Sequence, residues 1–113
     1  MIELHQVKNL DELLIYLNSL YPKYIDFDLS RIKKLLKRLG NPEKKLSKVI
    51  HVAGTNGKGS TIAFINSIAK VYGLKVHTYT SPHLISFNER IKLNGEIIDD
   101  KLLFNNLFEV AKV

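Results

Sequence analysis

Cysteine and tryptophan are absent from this chain, methionine occurs once, and only three prolines are spread over 113 residues. Without thiols, disulfides and cysteine-bound metals are excluded, which agrees with a reducing, cytoplasmic setting without proving it. Also missing is any apolar run near the ~20 residues needed to span a bilayer. The first residues, with Glu3, His5 and Lys8, lack the layout of a secretory signal. The expectation is a cytoplasmic protein with no membrane partner. No internal repeat or low-complexity segment is found, which excludes a repeat architecture.

What is present is ordinary for a globular protein: 45% hydrophobic and 25% charged residues, enough for one domain with a single core. The net charge of +6 invites three readings. A nucleic-acid module would draw on Arg31, Lys33, Lys34, Lys37 and Arg38, followed by Lys44, Lys45 and Lys48. The helical charges, however, interleave with Ile32, Leu35, Leu36 and Leu39, as on the wet face of an amphipathic helix. The third reading is a surface suited to polyanionic small molecules, and charge alone does not choose among them.

The stretch that does discriminate is Val49-Ile-His-Val-Ala-Gly-Thr-Asn-Gly-Lys-Gly-Ser-Thr61. Val49, Ile50 and Val52 read as a buried parallel strand. Gly54, Gly57 and Gly59 then permit a tight turn that aims several N–H groups at one anion. Ser60 and Thr61 open a helical pattern (Ile62, Ala63, Phe64, Ile65, Ile68, Ala69), whose dipole favours the same anion, and Lys58 adds a full positive charge. The general pattern G-x-x-x-x-G-K-[ST] is not met, since Val52 stands at its first position and Gly59 follows the lysine. With no hydroxyl directly after Lys58, either Ser60 or a group from elsewhere must hold Mg²⁺. The bland alternative is a strand-to-helix turn with a surface lysine.

Around this loop the chain reads as α/β. Asn9, with Glu12 three residues on, caps an amphipathic helix from about 10 to 21 that Pro22 stops. After a short loop holding Tyr24, Ile25 and Phe27, Asp28 caps a second helix to about Leu39, ended by Gly40 and Pro42. Glu43 to Ser47 is a polar connector. The helix after the loop runs to about Tyr72, where Gly73 closes it, and Lys75 to Thr80 reads as a second strand. Strand, loop, helix and strand form a right-handed βαβ unit of a parallel sheet, so Gly54, at the end of the first strand, and Thr80 and Ser81, at the end of the second, face one crevice. Alternation makes His51 a packed sheet histidine. Asn94-Gly95 suits a type I′ hairpin between Ile91-Lys-Leu93 and Glu96-Ile-Ile98. Asp99 or Asp100 caps a final helix, with the chain stopping inside it at Val113.

Gly54-Thr-Asn-Gly-Lys-Gly-Ser60 resembles the nucleotide loop of folylpolyglutamate synthases and bifunctional dihydrofolate synthases, of the Mur ligase superfamily. Tyr79-Thr-Ser-Pro-His-Leu84, Phe87-Asn-Glu-Arg-Ile91 and Asn94-Gly95 are similar to that family's second signature. Asp28-Leu-Ser-Arg-Ile32, followed by Leu39-Gly-Asn-Pro42, matches as well. The resemblance spans roughly residues 20 to 100, whereas family enzymes have two domains and several hundred residues. It implies that residues 1–113 are the N-terminal part of the ATP-binding domain, with the second domain absent.

The resemblance further implies an ATP-dependent amide ligase that adds L-glutamate to folate or dihydropteroate, in folate and one-carbon metabolism. Gly54, Thr55, Asn56, Gly57, Lys58, Gly59 and Ser60 would bind ATP. Ser81, at the end of the neighbouring strand, would ligate Mg²⁺ with partners that lie farther along the family sequence. Asp28, Leu29, Ser30 and Arg31, with Phe87 in an Ω-shaped loop over residues 82–90, would contact the pterin side. Bland accounts stand beside these: Asp28 and Arg31 as a helix start with a solvated charge, residues 82–90 as an ordinary surface loop, and His83 as a loop-packing residue rather than a metal ligand. No catalytic residue is assignable within the chain, and the chain alone is expected to be inactive and to self-associate. Alternatives are another Mur-type ligase, a nucleotide-binding fragment without catalysis, and, more distantly, a basic nucleic-acid-binding domain.

Overall fold

The computed structural model describes residues 3–21 and 28–113. Among the described residues, four α-helices, α1 (Leu10–Ser19), α2 (Ser30–Arg38), α3 (Lys58–Val71) and α4 (Asp100–Ala111), accompany three short strands, β1 (Thr78–Tyr79), β2 (Ile91–Leu93) and β3 (Glu96–Ile97). The chain divides into two compact units, residues 1–49 with 101–113, and residues 50–100. The expected stop at Pro22 and the loop of Tyr24, Ile25 and Phe27 lie outside the described residues.

In the first unit the helix boundaries follow local chemistry. Asn9 accepts from the Glu12 amide at 2.9 Å, and the Glu12 carboxylate turns back onto the Lys8 amide at 2.8 Å, so two otherwise unpaired N–H groups at the start of α1 are satisfied. Asp28 receives both the Ser30 amide, at 3.0 Å, and the Ser30 hydroxyl, fixing the first turn of α2. At the other end Gly40 (φ 80°) and Asn41 (φ 54°) adopt left-handed backbone, and the Asn41 amide reaches back to the Leu36 carbonyl at 2.8 Å. The connector expected at 43–47 contains one turn of 3₁₀ helix, Pro42–Lys45. Leu13 of α1 and Leu103 of α4 are fully buried, and Phe104 and Phe108 stack one turn apart at 5.5 Å along α4.

The second unit departs from the expected parallel βαβ arrangement. Residues 49–52 join no sheet, and the strand expected over 75–80 shortens to β1, which pairs antiparallel with β2. The cause is the lack of cover. Parallel pairs are slightly weaker per residue and occur with both faces buried, whereas Val49 and Ile50 are 71% and 70% exposed. β1 takes the partner that sequence proximity offers. His51 is correspondingly exposed, so it is not the packed sheet histidine that alternation predicts.

The hairpin forms as expected. Asn94 (φ 52°) and Gly95 (φ 88°) supply the two positive-φ positions of a type I′ turn, and Lys92 and Leu93 pair with Ile97 and Glu96. β1, β2 and β3 thus make one antiparallel sheet in that order. The Asn94 amide donates to His77 Nδ1 at 3.1 Å and the Thr80 amide to the Arg90 carbonyl at 2.8 Å, which ties both ends of β2 to the segment around β1. α3 ends where Gly73 (φ 69°) lets the Leu74 amide reach the Ala69 carbonyl at 3.0 Å. Among the described residues no helix is long and apolar enough to cross a membrane.

Candidate functional site

Within residues 50–100 the glycine-rich turn delivers the chain into α3. Gly57 takes left-handed backbone at φ 72°, and Gly54 is at φ 157°, whereas Gly59 lies inside the first helical turn with no such requirement. The helix begins at Lys58, earlier than the expected Ser60. Its geometry leaves the first-turn amides of Lys58, Gly59 and Ser60 without carbonyls four residues back, while the Thr61 amide already bonds Gly57 at 2.9 Å. Those amides and the positive end of the α3 dipole have the chemistry to receive an anion. Lys58 folds back over the turn, donating to the carbonyls of Gly54 at 2.7 Å and Thr55 at 3.3 Å.

This turn forms one wall of an open concavity of about 670 Å³. Thr55 to Gly59 line it, as do Ile62, Ala63, Asn66 and Ser67, the stripe of α3 that continues upward at helical spacing. Thr78, Thr80 and Ser81 form the facing wall, with Lys92 beside them. The expected juxtaposition of the loop with Ser81 is therefore present, although antiparallel pairing positions that wall. Lys58 and Lys92 carry positive charge there, and among the described residues no carboxylate lines the concavity.

Ser81 brings an exposed hydroxyl, compatible with one of the oxygen ligands Mg²⁺ prefers. Among the described residues no group of three or more His, Cys, Asp and Glu side chains gathers to hold a metal. The Thr61 hydroxyl is committed to the Gly57 carbonyl at 2.8 Å and turns away from this role.

The loop after Ser81 is built around Glu89. Its carboxylate accepts from the amides of Leu84 at 3.0 Å, Ile85 at 2.8 Å and Ser86 at 2.7 Å. The Leu84 amide first, then those of Ser86 and Ile85, with the neighbouring His83, hold its carboxyl below the ordinary glutamate range. His83 Nδ1 accepts from Arg90 Nε at 2.8 Å and its ring tilts against Phe87 at 5.9 Å. That is the loop-packing role expected of His83. Phe87 packs against both His83 and the Arg90 guanidinium, the latter 5.1 Å from its ring centroid. The apolar residues this loop exposes are Leu84 and Ile85, each 92% accessible, and Leu84, not Phe87, lines the concavity.

Asp28, Leu29, Ser30 and Arg31 are all exposed and belong to the other unit. The Ser30 hydroxyl and amide hold the Asp28 carboxyl below its ordinary range. Sequence reasoning placed Thr80 beside Ser81 at the crevice and missed Thr78, Asn66, Leu84 and Lys92. Strand alternation gives Thr78 the same face as Thr80, and helical spacing places Asn66 above Gly59, so two of these were open to inference. Lys92 depends on the β1 to β2 register, which no local pattern specifies.

No protein-family model matches the chain. The dihydrofolate synthase/folylpolyglutamate synthase of Bacillus subtilis is 58% identical over 73 residues, covering 65% of this chain and 17% of the relative. The chain thus spans only a small part of the length of the curated relatives it matches. A solved FPGS-AMPPCP-folate complex aligns with a TM-score of 0.82 at 40% identity, over 93% of this chain and 25% of that one. The bifunctional folylpolyglutamate synthase/dihydrofolate synthase of Yersinia pestis, solved with AMPPNP and Mn ion, aligns with a TM-score of 0.85 at 30% identity, over 99% and 27%. Relatives and solved structures agree over most of the 113 residues, and the chain belongs to the folylpolyglutamate synthase and dihydrofolate synthase family.

Proposed function

We propose that residues 1–113 are the N-terminal, phosphate-binding part of an ATP-dependent ligase that joins L-glutamate to folate or dihydropteroate. The observation that carries the reading is the turn from Gly54 to Ser60, where open helix amides and Lys58 border a concavity lined by no carboxylate among the described residues. The family's solved complexes with ATP analogues, folate and Mn ion support the same ligand classes.

In this reading the amides from Thr55 to Ser60 and the Lys58 ammonium hold the β- and γ-phosphates. The substrate carboxylate attacks the γ-phosphorus with loss of ADP, and the glutamate amine then attacks the acyl carbon with loss of phosphate. The share of these residues is positioning and charge neutralisation. Ser81 would help hold Mg²⁺, which would supply further charge neutralisation. Asp28 to Arg31 and the loop bearing Phe87 serve the pterin side. Segments 49–52 and 75–80 become parallel neighbours once further strands cover them.

Amide formation requires groups beyond these residues. Phe64, Ile68, Val71 and Tyr72 expose apolar surface along α3, so the chain alone is expected to self-associate. Supplying the purified chain with ATP, Mg²⁺, folate or dihydropteroate, and L-glutamate, while measuring its mass in solution, tests this division. Nucleotide binding by an oligomer without product is expected. Product from a monomer would contradict it.

A further inference from the structure

We infer that Lys92 is a second phosphate-binding cation of the nucleotide site, acting opposite Lys58. The inference rests on the phosphate-loop reading above and adds to it a residue from outside the glycine-rich turn. Lys92 lies directly across from Thr78 in the β1 to β2 register. Directly paired residues project to the same face of a sheet, and both line the concavity that the α3 terminus opens into.

Its position is fixed from two sides. The Asn94 amide is bonded to His77, and the Thr80 amide to the Arg90 carbonyl, so β2 cannot slide along β1 without breaking both. The two lysines also differ in what already holds them. Lys58 is engaged by two carbonyls of its own turn, whereas the exposed Lys92 ammonium makes no hydrogen bond or ion pair with the described residues. A strongly hydrated ammonium on a flexible four-carbon stem, on a wall with no carboxylate among its described residues, is suited to meeting a polyphosphate from the side opposite the helix.

The test titrates ATP, ADP and folate into the chain and its Lys92→Gln, Lys92→Arg, Lys58→Ala and Lys70→Gln variants, Lys70 being an exposed α3 lysine that does not line the concavity. Lys92→Gln is expected to weaken ATP binding roughly ten-fold, the scale of one charge-assisted contact. Lys92→Arg restores most of the affinity, and Lys70→Gln stays near the parent. A loss for both ATP and ADP, or for ATP alone, supports the inference and tells which phosphate is met. If Lys58→Ala weakens ATP binding and Lys92→Gln does not, the inference is overturned while the phosphate loop stands. A loss confined to folate, whose carboxylates offer the same chemistry, overturns the nucleotide assignment. Failure of the parent chain to bind ATP overturns both.

Discussion

The side-chain amide of Asn88 donates to the Asp100 carboxylate at 2.8 Å, and the same nitrogen donates to the Ile98 carbonyl at 3.0 Å. Asn88 is 8% exposed, and these bonds tie the 3₁₀ turn Phe87–Arg90 to the segment that follows the hairpin. Asn88→Ala leaves a partly buried carbonyl and a carboxylate without their donor, at a cost of about 1–3 kcal/mol. Asn88→Asp places a second carboxylate against Asp100 and is expected to cost more. Denaturant titration measures both. A neutral Asn88→Ala would show that these bonds do not hold the loop.

Glu89 makes the same loop sensitive to acid. Its carboxyl is held below the ordinary value of 4.5 by amide donors that need it ionised. A group with a depressed folded pKa contributes stability above its unfolded value and loses that contribution as pH falls through the folded value. The amide resonances of Leu84, Ile85 and Ser86 should therefore hold steady down to about pH 4.5 and shift together only below it. Glu89→Gln should remove that transition. A common midpoint at or above the ordinary value would contradict the three-amide arrangement.

Under the proposed function, Ser81 and Ser60 are the two hydroxyls that could fill the metal-ligand position Gly59 leaves open. Both hydroxyls are exposed, but Ser81 stands on the wall facing the turn, whereas Ser60 rides in the first turn of α3. Ser81→Ala is expected to reduce the gain in ATP affinity conferred by Mg²⁺ and to leave metal-free binding nearly intact, with Ser60→Ala close to the parent. The reverse pattern in paired titrations with and without Mg²⁺ would move the ligand to Ser60.

Elements governed by neighbours in sequence were legible before the fold was known. The Asn9 cap, the Gly40 and Gly73 stops, the Asn94-Gly95 turn and the start of α4 each follow from side-chain chemistry within a few residues. The parallel pairing of 49–52 with 75–80 was not secured by the same logic. Apolar composition marks Val49 and Ile50 for burial, but the cover must come from partners that pattern does not supply. The site divides similarly. Gly57 and Lys58 announce themselves through the turn, and Ser81 through its place at the end of the second strand, while Lys92 reaches the concavity only through an antiparallel register that a parallel expectation conceals.

The phosphate loop is tested most directly by titrating ATP into the Lys58→Ala and Lys34→Ala chains beside the parent. Lys34 is an exposed α2 residue in the other unit, so its loss should change affinity little. Removing Lys58 forfeits charge-assisted contacts worth about 1.5–3 kcal/mol each, a fall of roughly ten-fold or more. Equal ATP affinities for the two variants would contradict the assignment of Gly54 to Ser60 as the site that holds the nucleotide phosphates.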